Sequence, residues 1–137
     1  MRTIEFRGFS FSDKQWKYGY YYVNTLGMHN IVCPDGHTWE VDPESVGQYT
    51  WLKDMNEVKI YEGDIFKAPN PTLYLGPEVN LEIKFHSWTF YYLYNDHIQP
   101  LWWWIAYGDN EDAYTTSYNF DKEIVGNTYE HPNLLQQ

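Results

Sequence analysis

Few residues in this 137-residue chain stand at spacings that suit chemistry. Cys33 and His37 bracket a Pro-Asp-Gly turn and could supply two metal ligands. A zinc site takes three or four, and no second pair is spaced to complete one. His86-Ser87 lacks the strand-turn-helix setting of a hydrolase nucleophile. Glu40, Asp42 and Glu44 alternate, which puts them on one face of a strand end. Paired carboxylates cleave glycosides only when two are tuned separately in a cleft, so the alternation predicts a solvated face. Glu62 and Asp64 flank Gly63, and their expected work is to accept hydrogen bonds from backbone donors at a bend. Glycine-rich phosphate loops are absent from the sequence. The expectation is a protein that is not an enzyme, with no catalytic residue, cofactor or metal.

Charge and aromatic content say more about partners. Net charge is −10, with only nine Lys and Arg. From His86 to Asp121 no Lys or Arg occurs, whereas Asp96, Asp109, Glu111, Asp112 and Asp121 lie there. Duplex nucleic acid is held by a basic stripe that displaces counterions, so it is not an expected partner. The run Leu101-Trp102-Trp103-Trp104-Ile105-Ala106-Tyr107 stands out. As a strand it puts Leu101, Trp103, Ile105 and Tyr107 on one face and Trp102, Trp104 and Ala106 on the other. If the first set is core, Trp102 and Trp104 form a partly exposed anchor for binding; burial on both faces by a second sheet is the alternative. The run is also far shorter than the ~20 residues of a membrane helix, and charges at Arg2, Glu5 and Arg7 break any leader-like apolar start. Cys33 is the single cysteine, which excludes an internal disulfide. The expectation is a soluble, cytoplasmic protein.

The elements that must position these groups read as β. The chain holds 7 Trp, 14 Tyr and 7 Phe, residues that fill and flank sheets. Met1 to Arg7 alternates as a first strand, and Tyr18 to Asn24 follows after a turn-like stretch. Ile31-Val32 and Thr38 to Val41 pair across Cys33-Pro34-Asp35-Gly36. Pro43-Glu44 opens one helical turn. Gln48 to Lys53 and Val58 to Tyr61 form a hairpin through Asp54-Met55-Asn56-Glu57. Gly63 then bends the chain into a third strand, Asp64 to Lys67, the nucleus of a strongly bent or barrel-like sheet. Pro69, Pro71 and Pro77 keep residues 68–78 out of a ladder. Leu81 to Phe85, Thr89 to Tyr94, Leu101 to Tyr107 and Ser117 to Gly126 are the later strands, and His131-Pro132 caps a last turn. The fold expected is all-β, mainly antiparallel, with short helical turns. It forms one domain over residues 1–137, or two β subdomains meeting near 68–78.

Several of these stretches resemble the YopX-like family of phage and prophage proteins. The matching motifs are Val46-Gly47-Gln48-Tyr49-Thr50, Leu52-Lys53-Asp54 and Ile60-Tyr61-Glu62-Gly63-Asp64-Ile65. A later match is Glu123-Ile124-Val125-Gly126-Asn127 with Tyr129-Glu130 and Leu134-Leu135, and Met1-Arg2-x-Ile4-x-Phe6-Arg7 also fits. The specific match covers roughly a third of the chain and is absent from about Ala68 to Asn119. Trp51 stands where the family tends to have Gly, and Glu57 replaces the usual turn Gly. The resemblance implies a β-rich fold, a phage or prophage origin and no established activity. It marks Gly47, Gln48, Tyr49, Tyr61, Glu62, Gly63, Asp64, Gly126 and Asn127 as motif positions of structural character.

Four function classes remain open on the sequence. The leading one is a non-enzymatic phage accessory protein that binds itself, as a homo-oligomer, or a host or phage protein. The second is an acidic mimic of nucleic acid that occupies a host DNA-binding protein. A single-strand binder would use aromatic platforms but needs a positive groove. A carbohydrate binder would use exposed Trp.

Overall fold

The computed structural model describes residues 4–69, 76–86, 89–94, 97–100, 105–106, 119–120 and 122–135. It is built of mainly antiparallel β-sheet, and helix among the described residues is confined to short 3-10 turns. Two compact units divide the chain, Met1–Tyr49 and Thr50–Gln137. The division falls inside a strand, β5 (Gly47–Lys53), rather than in the proline-bearing stretch 68–78.

The first unit holds β1 (Phe6–Phe9), β2 (Trp16–Val23), β3 (His29–Val32), β4 (Thr38–Glu40) and the start of β5. Their order is β5-β1-β2-β3-β4, antiparallel throughout. The first strand begins later than the alternation of residues 1–7 suggested. The β3–β4 hairpin closes where the Pro-Asp-Gly turn placed it, with Cys33 N donating to His37 O at 2.9 Å and Gly36 at φ 87°. Register sets the two faces. Tyr21, Ile31 and Trp39 lie across from one another on one face, and Ile31 is fully buried there. Gly19 lies on this face opposite Phe6 because nothing larger fits: a Cβ would stand 1.9 Å from the Val32 carbonyl oxygen. The expected turn Pro43–Ser45 is a 3-10 turn. Asp42 caps it by accepting from Glu44 N at 3.0 Å, and Phe9 N donates to Ser45 Oγ at 2.7 Å.

The second unit holds the rest of β5, β6 (Lys59–Tyr61), β7 (Asp64–Ala68), β8 (Val79–Glu82), β9 (Lys84–His86) and β10 (Thr89–Tyr94). It continues with β11 (His97–Pro100), β12 (Ile105–Ala106), β13 (Asn119–Phe120) and β14 (Ile124–Asn127), and ends in a 3-10 turn, Pro132–Leu135. The β5–β6 hairpin forms as expected, with Asp54 N donating to Val58 O at 2.8 Å. Thr50 Oγ1 adds a buried bond to Ile60 O at 2.8 Å. β10 returns against β9 in register, and β11 extends that sheet.

Two expectations need correction. The sheets are open, and none closes into a barrel among the described residues. Past the bend at Gly63 (φ 90°), β6 stays with β5, while β7 pairs with β8 and β14. Hairpin and third strand therefore feed different sheets. The run Leu81 to Phe85 is likewise split at Ile83, whose N–H bonds to Asp64 O (2.9 Å) and whose carbonyl accepts from Gly63 N (2.8 Å). The core of this unit is Ile60, Phe66, Ala68, Leu81, Ile83 and Tyr92, with Leu52, Val79, Phe90 and Ile124 packed against it. Phe66 and Tyr92 meet edge to face at 5.5 Å, and each large buried side chain contributes about 1.5–3 kcal/mol.

Candidate functional site

The motif positions of the second unit converge on the bend at Gly63. Tyr61 N donates to Asp64 Oδ2 at 2.8 Å, so the Asp64 side chain, 3% exposed, closes the bend itself. Thr128 N donates to Gly63 O at 2.8 Å, and Asn127 sits across from Asp64 in the β7–β14 ladder. Asn127 holds the following turn: its Oδ1 accepts from Glu130 N (2.8 Å), and its own N–H reaches His131 Nδ1 (3.3 Å). Gly126 is needed there because a Cβ would lie 2.8 Å from Leu134 and 2.9 Å from the His131 ring. These side chains satisfy backbone donors.

Glu62 differs. It is half-buried beside Glu82 and Lys84, which pair at 3.3 Å. Burial first, and the Glu82 carboxylate second, push the Glu62 carboxyl above its ordinary value, with Lys84 pulling the other way. Gly47, Gln48 and Tyr49 belong to the first unit, where Gly47 faces Arg7, Gln48 faces Phe6, and Tyr49 N donates to Glu5 O at 2.7 Å. Trp102 and Trp104 lie outside the described residues.

Other chemical candidates are distributed rather than clustered. The His37 backbone N–H, 2.9 Å from Asp35 Oδ1, and then its ring, 3.0 Å from Oδ2, draw that exposed carboxyl below its ordinary value. Cys33 contributes backbone hydrogen bonds to the same turn. No group of three His, Cys, Asp or Glu able to hold a metal occurs among the described residues. Asp42 is occupied in capping, and Glu40 and Glu44 are exposed. His86 ends β9, and Ser87 lies outside the described residues.

Two features escaped the sequence reading. Asp54, 2% exposed, accepts from Asn56 N (2.8 Å), Val58 N (3.0 Å) and, 70 residues on, Ile124 N (3.2 Å). The turn was legible, but its tie to β14 has no local signal. The second is a row of tyrosines on β2. Tyr18, Tyr20 and Tyr22 share one face and are 43%, 62% and 43% exposed. Their alternation was visible in the sequence, but their exposure was not: Arg7 and Asn30, across from Tyr18 and Tyr22 on the same face, are buried.

Trp51 and Glu57 take φ of 64° and 65°, in the left-handed region. These are the two positions at which the chain departs from the glycines of the resembling family. Both residues hold a backbone that glycine adopts more freely.

The YopX protein family model matches residues 5–136. No match is found among curated proteins. Among solved structures, the crystal structure of protein EF1440 from Enterococcus faecalis is similar, with a TM-score of 0.52 and 20% identity. The match covers 98% of this chain and 99% of that one, and the likeness is one of fold. No helix among the described residues is long and apolar enough to cross a membrane.

Proposed function

The chain belongs to the YopX family, and from that premise we propose a non-enzymatic phage or prophage accessory protein that works by binding protein. The observation that carries this reading is the exposed row Tyr18, Tyr20 and Tyr22, while the buried polar groups Asp54, Asp64 and Asn127 are engaged with backbone. Large amphipathic rings standing in solvent are the side chains from which protein interfaces draw their anchors. Partners are a second copy of the chain or a host or phage protein. A second reading, an acidic mimic that occupies a DNA-binding protein, is favoured by the net charge of −10.

Light scattering on the purified chain, with affinity capture from host cells, tests the interaction reading. The Trp102→Ser, Trp104→Ser double variant tests the sequence expectation that these indoles anchor self-assembly. Lost assembly with a folded monomer supports it. General unfolding means both indoles are core and removes them from the proposed interface.

A further inference from the structure

The tyrosine face of the first unit has a width, a spacing and a charge that together specify an occupant. Register places its neighbours: Arg7 lies across from Tyr18, Val32 and Thr38 run out from Tyr20, and Asn30 and Glu40 run out from Tyr22. Successive rings on one strand face stand about 7 Å apart, the two-residue repeat of any extended chain. A strand-like segment laid along β2 would therefore bring every second side chain over a ring.

Charge selects which side chains. Glu40 is exposed on this face, whereas Arg7 is 8% exposed and stacks under Trp16, its Cζ 4.6 Å from the ring centroid. Lys17 belongs to the opposite face and lies 3.7 Å over the Trp39 ring. The chain thus already seats both of these cations on aromatic rings, which is the contact an incoming cation would make with an exposed phenol. Size argues against a second copy. Three half-exposed tyrosines present on the order of 300 Å², against roughly 800 Å² per partner in a stable interface. A single nucleic-acid strand would stack at similar spacing but would bring phosphates toward Glu40.

We propose that Tyr18, Tyr20 and Tyr22, with Glu40, form a docking face for an extended arginine- or lysine-bearing segment of a partner protein. The proposal rests on the interaction reading above and names the chemistry of its partner. Alternate residues of the segment place their cations over successive phenol rings, and one of them reaches Glu40.

Fluorescence anisotropy on the full chain tests it, with a labelled Arg-Thr-Arg-Thr-Arg-Thr peptide and a block peptide of the same composition, three Arg then three Thr. The alternating peptide binds more tightly. The Tyr20→Ser, Tyr22→Ser variant weakens it by about tenfold with its melting temperature held, because both rings are exposed. Glu40→Gln weakens it by about threefold, while Glu44→Gln, in the 3-10 turn, leaves it unchanged. Equal affinity of the two peptides, equal losses from Glu40→Gln and Glu44→Gln, or an indifferent tyrosine variant overturns the proposal. So does tighter binding of a thymidine oligonucleotide, or self-assembly that the tyrosine variant abolishes. A host protein captured equally by wild type and the tyrosine variant would sink the docking face and leave the interaction reading standing.

Discussion

Replacing Asp54 discriminates between the two halves of its hydrogen bonding. Its Oδ1 serves the turn, accepting from Asn56 N at 2.8 Å and Val58 N at 3.0 Å, while Oδ2 accepts from Ile124 N at 3.2 Å. Asp54→Ala removes all three acceptors from a residue that is 2% exposed. At about 1 kcal/mol for each partly buried donor left without an acceptor, the loss is about 3 kcal/mol. For a chain of this length that lowers the melting temperature of the second unit by roughly 10 °C. Asp54→Asn keeps an oxygen for the turn but turns an amide N–H₂ toward the Ile124 N–H. Its cost is about 1–2 kcal/mol, from one lost bond and a donor facing a donor. Thermal melting gives the order wild type, Asn, Ala. Amide hydrogen exchange gives the finer readout: Ile124 exchanges faster in both variants, Asn56 and Val58 only in the alanine one. An unchanged Ile124 amide in Asp54→Asn would refute the assignment of that oxygen to β14, whatever the melting temperatures.

Two further outcomes follow from strain and burial. Glu57, at φ 65°, pays for a left-handed backbone that glycine adopts freely; Glu57→Gly should raise stability by about 0.5–1 kcal/mol in chemical denaturation, and Glu57→Ala should not. The Glu62 carboxyl, raised in the fold, holds its proton more tightly there than in the unfolded chain. Its contribution is therefore full below the ordinary glutamate value near 4.5 and declines as pH rises through the folded value. Glu62→Gln should flatten that decline in melting curves taken between mildly acidic and neutral pH, and a variant with the wild-type slope would refute the placement.

What was legible in the sequence was local. The Asp54–Glu57 turn, the Pro-Asp-Gly turn before β4 and the Pro43 turn each carry their geometry in their own residue types, and each forms where expected. Gly63 was correctly read as a bend, but a bend does not state which sheet the next strand joins. That choice is made by β8 and β14, which lie outside the hairpin. Leu81 and Ile83 are both buried as their alternation implied, yet the run breaks because the Ile83 backbone is drawn to Gly63 and Asp64. The motifs marked Asp64 and Asn127, and each side chain accepts from a backbone N–H three residues away, that of Tyr61 and that of Glu130. Tyr18, Tyr20 and Tyr22 show the limit most clearly. Alternation puts them on one face, and their exposure beside the buried Arg7 and Asn30 is set by packing that no local pattern displays.

The Asp54–Ile124 bond also sets a clock. The first unit has all its strands once Tyr49 has left the ribosome. The second cannot close until β14 arrives, and the 70 residues from Asp54 to Ile124 take about 4–14 s at ordinary rates of synthesis. From the point at which β7 is made, it lacks its β14 neighbour for the rest of that interval, and Ile65 and Phe66, buried in the finished fold, await part of their cover. A newborn chain thus spends seconds as a completed first unit trailing an unfinished, aggregation-exposed second one, and a pause in translation anywhere before residue 124 lengthens that vulnerable period directly.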